Sequence, residues 1–119
     1  MKKTIAKIAL FLFAVILIAG SVSAQDKAVK LTESKIKTSA QCEHCKDRIE
    51  TKMKVVEGIS SVVLNLNDKV MTVKYNTEII TLEKVRKALN KIGYDADDQP
   101  ADGKAYKKLP KCCKKPEDR

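Results

Sequence analysis

Tryptophan is absent from this 119-residue sequence, histidine occurs once, and no proline lies between residues 1 and 99. The first and last of these weigh against a thioredoxin-like oxidoreductase, which normally carries Trp before its C-x-x-C and a cis-proline facing it. A single histidine, His44, leaves little material for a closed four-ligand zinc site, and only two cysteines lie close to it in the chain. No cysteine framework is spread along the sequence. The four cysteines form two close pairs, Cys42 with Cys45 and Cys112 with Cys113. Such pairs would close tiny loops and staple little, so the fold has to come from a core. No internal repeat is found.

Long apolar runs are also missing, with one exception. Ile8 to Ala19 is apolar, follows Lys2, Lys3 and Lys7, and precedes the small-residue site Val22-Ser23-Ala24. It is short for a bilayer span, which needs about 20 residues. Residues 1–24 therefore read as a secretory signal peptide, with the mature chain beginning at Gln25. The expectation is an exported protein, periplasmic or secreted, with no membrane span after cleavage. The position after the cleavage site is Gln, so a leading cysteine for lipid attachment is not available. Acidic residues are the minority charge, 15 against 24 Lys and Arg. Cleavage would leave 95 residues and, by removing three lysines and no acid, lower the net charge from +9 to +6. A basic surface can serve nucleic acid, but an exported protein meets little of it. A solvated basic surface is the preferred reading, with attraction to an acidic partner or an anionic membrane face as the alternative.

What is present centres on Thr38-Ser39-Ala40-Gln41-Cys42-Glu43-His44-Cys45-Lys46. A strand-like run from Ser34 to Thr38 leads into it. A helical pattern leaves it, with Ile49, Met53 and Val56 at i, i+4 and i+7. A C-x-x-C at a helix start turns both sulfurs toward one point, beside unpaired N–H groups and the positive end of the helix dipole. Such surroundings favour thiolates, which bind metal or attack disulfides. Two thiolates at one point suit a soft cation such as Cu(I), in near-linear S–Cu–S coordination. A redox-active pair and a resting disulfide in a partner-binding domain are the alternatives, because export places the cysteines in an oxidising compartment. His44 is either a third ligand, broadening the choice toward Zn²⁺, or a solvated residue.

The elements predicted in order are a weak strand at 32–38, a helix from about Glu43 to Val56 ended by Gly58, and a strand from Ile59 to Leu66. A turn at Asn67-Asp68-Lys69 follows, then a strand from Val70 to Tyr75 and a helix capped by Thr81, with Leu82, Val85, Leu89 and Ile92 on one stripe and Gly93 at its end. A short polar fourth strand is expected after Tyr94. The order β-α-β-β-α-β is the ferredoxin-like α+β unit, two helices on one face of a four-stranded antiparallel sheet. It places Tyr94 near the loop after the first strand, either shielding the thiolates or simply packing. The expected organisation is signal peptide 1–24, leader 25–31, domain 32–99 and a Lys- and Cys-rich tail 100–119.

The tail holds all three prolines, Pro100, Pro110 and Pro116, and six lysines. It reads as an extended or partly disordered extension. In the four-stranded topology it begins at the end of the sheet far from Cys42. The 13 steps from Gln99 to Cys112 still span up to about 43–47 Å when extended. Cys112 and Cys113 can therefore return as auxiliary ligands, with only one expected to join, since neighbouring cysteines cannot easily aim both sulfurs at one ion. A strained vicinal disulfide, pairing to another chain and no role are the other readings.

Residues 32 to about 98 resemble the heavy-metal-associated domain family of copper chaperones, metal-binding modules of copper-pumping ATPases and exported mercury-scavenging proteins. The resemblance rests on Cys42-x-x-Cys45 at a strand–helix junction, Glu57-Gly58-Ile59 before the second strand, and Ile92-Gly93-Tyr94 after the second helix. It implies a non-enzymatic metal carrier, chaperone or scavenger, and a monomer is expected. Cu(I) is the first choice of cargo, Zn²⁺ and Hg²⁺ the alternatives, and a metal-delivery protein or metal-transporting ATPase the partner. Ser39, Ala40 and Gln41 stand where the family usually has Gly-Met-x, and the approach to Cys42 is one residue longer. The family methionine packs beneath the loop, so Ala40 implies a less well supported loop here.

Overall fold

A computed structural model describes residues 30–119. The expected signal peptide and most of the leader lie outside the described residues. Among the described residues, no helix is long and apolar enough to cross a membrane.

The chain runs through β1 (Leu31–Lys37), α1 (Glu43–Lys54), β2 (Ile59–Asn65), β3 (Val70–Asn76), α2 (Leu82–Ile92) and a short α3 (Gly103–Lys107). Two 3₁₀ turns, Lys111–Cys113 and Pro116–Asp118, finish it. The three strands form one antiparallel sheet in the order β1-β3-β2. Alternation decides which face is covered. Val62, Leu64, Met71, Val73 and Tyr75 are buried, as is Ile36, while Val63 on the opposite face is 58% exposed. Ile36 sits across from Met71, which gives the otherwise polar β1 its one apolar anchor. Ser34 and Tyr75 hydroxyls add a bond of 3.0 Å between the same two strands.

Both helices present the expected stripes to this face. Cys45, Ile49 and Met53 are buried on α1, and Val85 and Leu89 on α2. The Glu50 carboxylate ties α1 to β2 by accepting from the Leu64 amide at 3.0 Å and pairing with Lys46 at 2.6 Å. Thr81 caps α2 by accepting from the Lys84 amide at 3.3 Å. Gly58 (φ 93°) and Gly93 (φ 117°) take the left-handed conformations that let the chain turn after each helix.

The fourth strand expected after Tyr94 does not form. It is reduced to one bridge, between Thr38 and Ala96. The cause is the aspartate that follows. Asp97 adopts φ 54°, and its own carboxylate accepts from the Lys37 amide at 2.9 Å, so a side chain occupies the edge a fourth strand would extend along. Arg86 holds the other carboxylate oxygen at 2.9 Å. A tight turn between Ala96 and Gln99 then reverses the chain, and Pro100 has no amide to donate.

The tail is folded, contrary to the expectation of an extended or partly disordered extension. Residues 100–119 pack back on the domain, where Leu109 and Cys113 join the core. A side chain at Gly93 would stand 3.1 Å from both the Ala105 carbonyl and Leu109, so α3 packs directly on the turn after α2. Asp102 caps α3, and its amide donates to Asn90 O at 3.0 Å. Lys115 pairs with Asp95 at 2.7 Å, and the Tyr106 hydroxyl joins the Lys115 amide (2.9 Å) to Asp118 (2.7 Å). The composition of the tail concealed two buried anchors among its lysines.

Candidate metal centre

The loop from Thr38 to Cys42 is held by polar contacts. Thr38 donates from its amide and its hydroxyl to Lys69 O, both at 2.9 Å, and its hydroxyl accepts from the Ala40 amide at 3.2 Å. The Ser39 hydroxyl accepts from the Asp95 amide at 2.9 Å, which fastens the loop to the segment after α2. Ala40 is fully buried in the core. Hydrogen bonds from Thr38 and Ser39 thus anchor the loop that Ala40 alone could not fill in beneath.

Cys42 is the N-cap residue of α1, in extended conformation, and its side chain makes no capping bond. Its sulfur is therefore left to other partners. Cys45 lies one turn on, wholly buried, and the two sulfurs stand 3.5 Å apart. All four cysteines are free thiols. Cys42 is half-buried, so the pair opens to the surface on one side only.

The tail delivers a third sulfur to the same point. Cys113, in the 3₁₀ turn after Pro110, is buried with its sulfur 3.9 Å from that of Cys42. Cys112 is exposed, with its sulfur 3.9 Å from that of Cys113. The sulfurs of Cys42, Cys112 and Cys113 all lie within 4.8 Å of one another. Both tail thiols thus lie beside Cys42. They do so because the missing fourth strand keeps the chain at this end of the sheet.

Tyr94 is fully buried under the cluster. Its hydroxyl has no hydrogen-bond partner and sits beside the thiols of Cys45 and Cys113. Burial, reinforced by those two thiols, pushes its pKa well above the usual phenol value, so it stays a neutral O–H that can donate to sulfur. Burial first, and the Cys45 thiol next, push Cys113 up to about 12. His44, on the first turn of α1, is exposed and stands outside the sulfur cluster.

The heavy-metal-associated domain profile matches residues 37–95. The copper chaperone CopZ of Staphylococcus epidermidis is 33% identical over 66 residues, which cover 55% of this chain and 97% of that protein. A copper-exporting P-type ATPase of Bacillus subtilis is 27% identical over 82 residues, 63% of this chain but 10% of the ATPase. Among solved structures, a CopZ metallochaperone superimposes with a TM-score of 0.52 at 23% identity, covering 55% of this chain and 98% of that one. The N-terminal domain of a potential copper-translocating P-type ATPase from Bacillus subtilis gives 0.53 at 24% identity, covering 56% and 85%. At these identities the superpositions speak for the fold. The profile ends at residue 95, before Cys112 and Cys113. A thiol pair at the start of α1, on this fold and with a relative matched along almost its whole length, leads to one assignment: the chain belongs to the heavy-metal-associated domain family.

Proposed function

We propose that this protein is an exported, non-enzymatic carrier of a soft metal ion, with Cu(I) as its cargo and Cys42 and Cys45 as the thiolates that hold it. The observation that carries this reading is the pair of free sulfurs 3.5 Å apart at the head of α1, one buried and one reaching the surface. Soft thiolates select Cu(I), and a small number of ligands leaves room for exchange. Cargo passes to a partner when an incoming sulfur ligand displaces one cysteine at a time, and the half-buried Cys42 is the sulfur such a ligand meets first. The kinship with copper chaperones and with a domain of copper-exporting ATPases favours a metal-transporting ATPase as the recipient. The test is Cu(I) titration of Cys42→Ser and Cys45→Ser against a chelator of known affinity, with Cys42→Ser expected to lose tight binding and Cys45→Ser to lose the ion of the Cys42–Cys45 pair.

Export rests on Lys2, Lys3 and Lys7, the apolar run and the Val22-Ser23-Ala24 site. Protein recovered from the exported fraction should have the intact mass of a chain starting at Gln25. A mass retaining residues 1–24 would contradict export by cleavage.

A further inference from the structure

The two tail cysteines lie outside the matched family region, yet the fold carries them to the same loop. Cys42 is the common neighbour, with its sulfur 3.5 Å from that of Cys45 and 3.9 Å from that of Cys113. The four sulfurs fall into two groups that share it, the pair Cys42–Cys45 and the triad Cys42–Cys112–Cys113. We propose that these four thiols form one centre that holds two Cu(I) ions in a single chain, one based on Cys42 and Cys45 and the other on Cys42, Cys112 and Cys113, with Cys42 shared. The inference rests on the metal-carrier reading and adds to it a second ion and a ligand-bearing tail.

Bond lengths suit a three-sulfur ion at the triad. Metal–sulfur bonds of about 2.3 Å place the sulfurs of a linear site about 4.6 Å apart, and those of a trigonal site about 4.0 Å apart. The 3.9 Å separations in the triad are close to the trigonal value. In the triad, two edges of 3.9 Å and a third within 4.8 Å enclose an ion with small adjustments. A thiolate has more than one lone pair, so Cys42 can bridge. Charge is also accounted for. Four thiols release four protons and take up two monovalent cations, leaving a centre of charge −2, flanked by Lys111 and Lys114. The tail is fixed rather than trailing: Lys115 bonds Asp95, and Leu109 and Cys113 are in the core, so no loop has to be ordered when the second ion arrives. Cys112 is exposed, which makes the second ion the more accessible of the two.

The experiment is native mass spectrometry of the fully reduced protein titrated anaerobically with Cu(I) under mild chelator competition, beside Cys112→Ser and Cys113→Ser. Wild-type monomer is expected to retain two Cu(I) ions and each variant one. Because Cys112 is exposed, Cys112→Ser keeps the fold whatever Cys113→Ser does. A wild-type monomer saturating at one ion, two ions retained by Cys112→Ser, or a second ion found only on a dimer would each overturn the inference and leave the carrier reading intact. A wild-type protein that binds no Cu(I) would overturn the carrier reading itself.

Discussion

Cys42→Ser is expected to weaken Cu(I) binding by several kcal/mol, which at about 1.4 kcal/mol per decade is a loss of two or more orders of magnitude. The reason is the position of this sulfur. It lies 3.5 Å from Cys45 and 3.9 Å from Cys113, so its removal strips a ligand from both the pair and the triad. Serine offers a harder oxygen with a far higher pKa, a poor exchange for a thiolate toward a soft cation. Cys45→Ser should lose the ion of the Cys42–Cys45 pair and keep one on Cys42, Cys112 and Cys113, whose sulfurs remain together. The two variants differ in stability as well. Cys45 is fully buried on α1, and a hydroxyl there needs a partner, whereas Cys42 is half-buried. Competition titration reads the affinities, and circular dichroism checks that the fold is retained. Unchanged affinity in Cys42→Ser would remove the site.

The second large effect is on the core. Leu89→Ala should destabilise the metal-free protein by about 2–5 kcal/mol, the range for truncating a buried leucine. Leu89 is completely buried in the middle of α2, within the cluster that also holds Val85, Met71 and Ile36. The neighbouring carbonyl that receives the Tyr94 amide belongs to the same residue, so the cavity would open beside the turn that leads to Tyr94. Total stabilities of small domains are only about 5–15 kcal/mol, so this is a large share. Urea unfolding measures it. A change below about 1 kcal/mol would mean that the inward face of α2 has been misassigned. The Cu(I) affinity of the folded variant should remain that of the wild type, because Leu89 is not a ligand.

Much of this architecture was legible in the sequence because it depends on periodicity and punctuation. The stripe Leu82, Val85, Leu89 and Ile92, the cap at Thr81 and the left-handed Gly93 defined α2 to within the residue. Alternation defined β2 and β3 nearly as well. Three features were not legible, each for a local reason. The fourth strand failed because the Asp97 side chain took the Lys37 amide, a long-range hydrogen bond with no periodic signature. The tail reads as lysine and proline, and its order rests on Leu109, Cys113 and the Lys115–Asp95 pair, too few residues to make a pattern. The site was half visible. Spacing announced Cys42 and Cys45, while the arrival of Cys112 and Cys113 showed only as a length that permits return. The folding of the tail onto Gly93 turned that permission into contact. His44 drew attention as the only histidine, and the turn of α1 carries it to solvent.

The central claim is that the sulfur centre at the head of α1 selects a soft ion. Metal analysis by mass spectrometry of the reduced protein, offered Cu(I), Zn²⁺ and Hg²⁺ in competition, tests it most directly. The expected result is that Cu(I) displaces Zn²⁺ completely, that Hg²⁺ competes as another thiophilic cation, and that Cys42→Ser retains neither. Retention of Zn²⁺ in the presence of Cu(I), or metal bound equally well by Cys42→Ser, would contradict the account.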